Sequence, residues 1–261
     1  METSLLTGIS STAIVIVLML LMILFYWFSI KLTDFLLKKS SEKEIKHIGT
    51  TKGSLLGLLA LILAFTFNMS VSRYDQRRAI FIEETNDIGT AILRCDLYPD
   101  STREEFRKDF KEYVEARILY YEAGTDAKII QEALDKSDKI SSRIWKRAAH
   151  LSLDPNAVVR SNQMLPALNS MIDVVTSRDA LRTANVPDAV LWLLFSLCLI
   201  NSFVVGFGII QDKFSWFVIW SFAIMMALSV YFVLDLDRPR QGIITNDAHQ
   251  QKMLELRKML N

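Results

Sequence analysis

Residues 53–72 read GSLLGLLALILAFTFNMSVS, twenty residues without a single Asp, Glu, Lys or Arg. A bilayer core about 30 Å thick is crossed by roughly 20 apolar residues at 1.5 Å of rise per residue, so this stretch has the length and composition of a membrane-spanning helix. Three others share its character: Thr12 to Ile30, Ala189 to Ile210 and Phe214 to Leu234. None of the chain's 30 Lys and Arg or 29 Asp and Glu falls within these four runs. The totals for the 261 residues, 51% hydrophobic and 23% charged with a net charge of +1, are therefore an average over two different solvents. The sequence predicts an all-α polytopic membrane protein with four transmembrane helices and a soluble helical insert.

The order of segments follows from the runs. Residues 12–30 form the first span, 31–52 a connecting loop with six lysines, and 53–72 the second span. Residues 73–187 form the soluble helical domain, 189–210 and 214–234 the third and fourth spans, and 235–261 a C-terminal tail. Only Gln211, Asp212 and Lys213 separate the last two spans, which predicts a helical hairpin. Tyr26, Trp27 and Lys31, Lys52 and Arg73, Trp192, and Trp216, Trp220 and Tyr231 stand at the ends as interfacial anchors. Leu32, Phe35, Leu36 and Leu37 are expected to lie in the interface as an amphipathic turn. An even number of spans places the N-terminus, the insert and the tail on one side. Lys and Arg near the membrane number seven on the loop side and eight on the other, so the positive-inside rule does not set the orientation.

The insert lacks alternating strand patterns. Phe81, Ile88, Ile92 and Cys95, with Thr85 between them, recur at helical steps directly after the second span, and Pro99 ends that helix. A second helix is predicted from Ser101, with Glu104 completing a capping box, to about Ala123. A third runs from Thr125 to about Leu151, and a fourth from Ala157 to about Ala184 with a kink near Pro166. The insert carries 18 basic and 19 acidic residues, read mostly as solvated helix faces. In the tail, Met253, Leu256 and Leu260 share one helical face, suited to a neighbouring subunit or the membrane; fraying is the alternative.

Several function classes are excluded by what is missing. Without a basic block the chain does not read as a nucleic-acid binder. His47, His150 and His249 have no metal-ligand spacing, and Cys95 and Cys198 lie in different environments, so neither an enzyme nor a resident cofactor is expected. Gly206-Phe207-Gly208 reads as a packing notch. Asp235 and Asp237, just after the fourth span, either hold a cation or cap the helix exit and pair with Arg238 or Arg240.

The second span is the informative helix. At 100° per residue, Gly53, Gly57, Leu61, Ala64 and Asn68 fall within about 80° of arc, with Phe65 at the edge. Such a stripe of small and polar residues serves helix packing or faces a central axis. In the second case copies of Leu61 and Phe65 form a hydrophobic constriction and Asn68 meets water beyond it.

The string Phe65-Thr-Phe-Asn68-Met-Ser70-Val-Ser-Arg73-Tyr74 resembles the bestrophin signature Phe-Arg-x-Asn-x-Ser-Tyr-x-Arg-Trp. Arg73 to Arg78, Glu83, Asn86 to Thr90, Arg94, Pro99, Asn169 to Asp173 and Asp235 to Pro239 resemble a bacterial family of unknown function grouped with bestrophins. The resemblance implies a homo-oligomeric, pentameric ion channel in a bacterial inner membrane, with lipid and small inorganic ions as partners and the insert in the cytoplasm. It places Gly57, Leu61 and Phe65 at the pore constriction, Asn68 facing the pore, and Ser70 and Arg73 at its exit. Departures are Thr66 in place of the motif Arg, the missing Trp-rich run, and Gly57, which leaves one ring open. Of the acidic calcium clasp of animal bestrophins only Asp235 and Asp237 remain, so calcium gating is not expected. The alternative to a channel is a membrane-anchored interaction or sensory scaffold that uses the insert to bind a partner.

Overall fold

The computed structural model describes residues 9–37, 45–207, 216–238 and 247–260, and every regular element among them is helical. The eight α-helices are α1 (Ser11–Leu37), α2 (Ile45–Arg94), α3 (Asp100–Glu122), α4 (Ala127–Leu151), α5 (Val158–Thr183), α6 (Asp188–Gly206), α7 (Trp216–Asp237) and α8 (Asp247–Met259). They form two compact units: residues 1–74 with 185–243, and residues 75–184 with 244–261.

The first unit contains the four segments long and apolar enough to cross a membrane. Here α1 packs against α6 and α7 around Leu18, Met22, Leu194, Cys198, Val230 and Leu234. Polar side chains in this apolar setting satisfy themselves on helix carbonyls. Ser29 Oγ donates to Phe203 O across the α1–α6 contact (2.6 Å), and Asn201 Nδ2 donates to Leu197 O (2.8 Å) and to Leu55 O of α2 (3.3 Å). At Gly206 α6 packs tightly on α1: a Cβ there would lie 2.8 Å from Tyr26 O and 3.0 Å from Ser29 Cβ. It is the packing notch expected of it, whereas Gly208 and the predicted hairpin turn at 211–213 lie outside the described residues.

Two contacts fix which helix ends share one side. Arg238 Nη1 donates to Ile9 O (2.5 Å), and Val186 N donates to Asp237 Oδ1 (2.9 Å). The start of α1, the start of α6 and the end of α7 therefore meet at one end of the bundle, as four spans require. Trp27 is half exposed, with Lys31 Nζ 4.9 Å above its ring, whereas Tyr26 is buried against Gly206. The residues expected as an amphipathic turn after the first span belong to α1 itself, which runs without a break to Leu37. The loop's far end is helical too, since α2 begins at Ile45.

The second unit is built from α2 beyond Tyr74, α3, α4, α5 and α8. Phe81, Ile88, Ile92 and Cys95 are buried in its core with Phe106, Phe110, Tyr113, Met164, Leu168 and Met171. A single 3-10 turn, Cys95–Leu97, ends α2 before Pro99. The predicted capping box at Ser101 does not form: α3 starts one residue earlier, at Asp100, with Pro99 in the cap position and no side-chain cap. Asp126 caps α4 by accepting from Lys128 N and Ile129 N, and Gly124 makes the preceding turn at φ +54°. α5 includes Pro166 within a single helix. The tail helix docks within its own chain, on α3, rather than on a neighbouring subunit or the membrane. Met253 and Leu256 enter the core, Leu256 packing on Gly89, and Arg257 forms a two-pronged ion pair with Glu115 (2.6 and 2.5 Å).

Candidate functional site

The 50-residue α2 contains the second span, and only 17% of that span's most apolar window is buried within the chain, against 33–44% for the other three. The buried residues of residues 53–72 are Leu59, Thr66 and Ser70, and the half-buried Leu55, Ile62, Leu63 and Met69 lie on the same side. Thr66 donates to Ile62 O (2.7 Å), which lets a hydroxyl lie on this packed face. Gly53, Gly57, Leu61, Ala64 and Asn68 are all exposed, and at 100° per residue their stripe lies about 180° from the buried face. Leu61 is 51% and Phe65 59% exposed. Among the described residues, no neighbouring atom lies within 4 Å of a Cβ built at Gly53 or Gly57. The stripe is therefore the side of α2 that packing among the described residues leaves uncovered.

Ser70 does not share that stripe. It turns into the packed side and is fully buried, while Arg73, one turn on, is half-buried. The residues grouped by the sequence motif thus divide between two faces: Phe65 and Asn68 outward, Ser70 inward.

Asp235 and Asp237 are buried at the end of α7. Asp237 spends Oδ1 on Val186 N, and the cation beside it is the Arg238 guanidinium, which also feels Asp188. Among the described residues no three His, Cys, Asp or Glu side chains gather as a metal site. The donors present suit a guanidinium better than calcium, which takes six to eight oxygens. Arg240 lies outside the described residues.

A buried ion-pair cluster in the second unit departs from the expectation of solvated helix faces. Glu84 of α2 is fully buried and accepts from Arg117 Nε of α3 (2.6 Å), Arg178 Nη1 of α5 (2.5 Å) and Tyr121 Oη (3.0 Å). Burial alone pushes the Glu84 carboxyl up, but the two guanidinium groups and the hydrogen bonds from Arg117 and Tyr121 outweigh it and hold the carboxyl below its usual range. Aromatic faces line the cluster: the Arg178 guanidinium lies 4.0 Å from the Tyr121 ring centre and 4.6 Å from that of Tyr120, and Arg117 lies 4.7 Å from Tyr120. A signal for this cluster exists in the sequence. Glu84 stands three residues after Phe81 and four before Ile88, on the core stripe of α2, and Arg117 stands four after Tyr113 and four before Tyr121. Asp109 is buried in the same way, between Arg143 Nε (2.9 Å) and Arg147 Nη2 (3.0 Å) of α4.

The profile described as Bestrophin-like domain matches residues 25–245, most of the chain and both of its units. The chain belongs to the bestrophin-like family. Solved structures agree in fold. A tryptophan-to-alanine variant of a bacterial bestrophin homologue from Klebsiella pneumoniae is 14% identical, with a TM-score of 0.70 over 95% of this chain and 96% of that one. The same organism's homologue phased on zinc is 13% identical, with a TM-score of 0.66 over 94% and 96%. No curated protein matches the sequence. At these identities the structural likeness speaks for the fold.

Proposed function

We propose that this bestrophin-like chain forms a homo-oligomeric ion channel, a pentamer, in which the second spans surround a passive pore and no chemical step is catalysed. The observation that carries the reading is the orientation of α2: among the described residues, the stripe of Gly57, Leu61, Ala64 and Asn68 is exposed and lies opposite the packed face of Leu59, Thr66 and Ser70. A single chain has four spans with no charge in their apolar runs, too few to surround a polar pathway, so conduction requires several copies. Around a central axis, Leu61 and Phe65 form the hydrophobic constriction, Gly57 leaves a wider ring, and Asn68 offers its amide to water beyond. Ser70 and Arg73 belong to the exit, Ser70 by packing α2 and Arg73 by its charge. The membrane is a bacterial inner membrane and the insert is cytoplasmic. Asp235 and Asp237, beside Arg238, take no part in conduction.

Purified oligomer in planar bilayers tests the proposal. Unitary currents that change in Leu61→Ala and Phe65→Ala support it. A correctly assembled oligomer without conductance replaces the channel by a membrane-anchored scaffold, and a monomer or simple dimer in nanodiscs removes the pore.

A further inference from the structure

In the first unit, α1 and α7 pack together with the start of one beside the end of the other. Along that contact runs a groove of about 390 Å³, lined by Thr12, Val15 and Met19 of α1 and by Ile224, Ala227 and Tyr231 of α7. Its shape follows from the spacing. Thr12, Val15 and Met19 stand at i, i+3 and i+7 and share one face of α1, and Ile224, Ala227 and Tyr231 do the same on α7. The groove therefore follows both helices for about 10 Å, with Thr12 and Tyr231 at one end and Met19 and Ile224 at the other. Val15 and Ala227 are buried, and Ala227 deepens the floor because it ends at Cβ, whereas Ile224 and Leu228 are 46% and 53% exposed along the rim.

The chemistry of the groove changes along its length. Val15, Met19, Ile224, Ala227 and Leu228 make most of it apolar. At the Thr12 end the Tyr231 hydroxyl is hydrogen-bonded with Thr12 and Asp235, close to where Arg238 holds the carbonyl of Ile9. Both helices are long and apolar enough to cross a membrane, so this polar end belongs at headgroup level and the apolar length in hydrocarbon. The rim is continuous with exposed apolar side chains, Ile16 on α1 and Phe232 on α7, the surface that a membrane-spanning bundle offers to lipid.

Size and polarity choose among occupants. An apolar groove of this kind does not hold ordered water. A helix of a second copy, about 10–12 Å across, would fill roughly 800–1,200 Å³ over the same length. A single acyl chain is far thinner, apolar throughout, and carries its polar ester at one end, as the groove does.

We propose that the α1–α7 groove binds one acyl chain of a membrane glycerophospholipid, with the glycerol ester beside Thr12 and Tyr231 and the chain running past Val15 and Ala227 toward Met19 and Ile224. The lipid bridges two helices of one subunit and is held more firmly than the bilayer around it. The proposal does not depend on the channel reading, and its readouts do not involve conductance.

The test uses the full chain, extracted from membranes and washed in detergent until bulk phospholipid is removed, with the remaining lipid counted by native mass spectrometry. One phospholipid per chain is expected to remain. After exchange with phosphatidylglycerol and phosphatidylethanolamine carrying brominated acyl chains, crystals are expected to show bromine anomalous peaks between α1 and α7. Ala227→Leu, which fills the floor, is expected to lose the retained lipid, and Leu24→Trp, at an exposed position of α1 outside the groove, to keep it. No retained phospholipid in the unaltered protein, equal retention in Ala227→Leu and Leu24→Trp, or side chains of a neighbouring copy in the groove each overturn the proposal. Should Ala227→Leu fail to fold, the bromine peaks in the unaltered protein decide alone, and their absence from the groove overturns it.

Discussion

Glu84 of α2 and Arg117 of α3 form a 2.6 Å ion pair with both side chains shut away from solvent, and Arg178 of α5 reaches the other oxygen of the same carboxylate. One acidic side chain thereby holds three helices. Glu84→Gln leaves two buried guanidinium groups without a counter-charge, a change that costs about 3–5 kcal/mol when a buried pair loses one partner. Thermal or denaturant unfolding of the purified protein should show that loss. Glu104→Gln, on the outer surface of α3, should leave the midpoint nearly unchanged.

The same pair sets a pH dependence whose sign follows from the Glu84 carboxyl. Its folded-state pKa lies below the unfolded value of about 4.3, so its stabilising contribution is complete above that value and disappears as pH falls through the lower folded-state pKa. The stability gap between the unaltered protein and Glu84→Gln should stay constant at neutral pH and begin to narrow only below about pH 4.3. Unfolding midpoints measured across that range give the comparison directly.

The close approach of α1 and α6 predicts a sharp response at Gly206. In Gly206→Ala the new methyl group meets the Tyr26 carbonyl at 2.8 Å, a backbone atom that has no rotamer by which to move away. The helices must separate, and the Ser29 to Phe203 hydrogen bond lengthens with them. Overpacking of this kind costs about 1–3 kcal/mol, and a melting curve in detergent should register it.

For the tail helix, burial and charge can be weighed against each other. Met253 is fully buried, whereas the Arg257 and Glu115 side chains are each about two-fifths exposed. Met253→Ala is expected to destabilise by about 2–5 kcal/mol through the cavity it leaves. Arg257→Ala should cost no more than about 1 kcal/mol, as half-exposed ion pairs do. Limited proteolysis should cut the Met253→Ala protein within α8 well before the Arg257→Ala protein.

Much of this fold is written in local patterns. The four spans follow from charge-free length alone, and the stripe from Phe81 to Cys95 announces the core side of α2 because apolar positions at helical spacing seek one another. The outward stripe at Gly57, Leu61 and Asn68 was equally legible by arithmetic; what no single sequence shows is whether a neighbouring copy covers it. Two features escaped for physical reasons. Charged residues are solvated far more often than buried, so composition concealed Glu84 and Arg117 although both sit in register with core aromatics. The tail's apolar face announced a docking helix but not its partner, since α3 lies more than a hundred residues away along the chain. At Ser101 a sound local signal lost to its context, with Pro99 starting α3 a residue earlier.

The position of α8 also dictates an order of events during synthesis. Met253 and Leu256 complete a core begun by residues of α2 and α3, yet they leave the ribosome only after both the third and fourth spans have been made. Their places in the core of the insert stay unfilled until the rest of the protein has been translated. A nascent chain stalled between residues 239 and 246 would therefore carry all four spans and an unfinished insert, a natural substrate for chaperones and for proteases that recognise open cores.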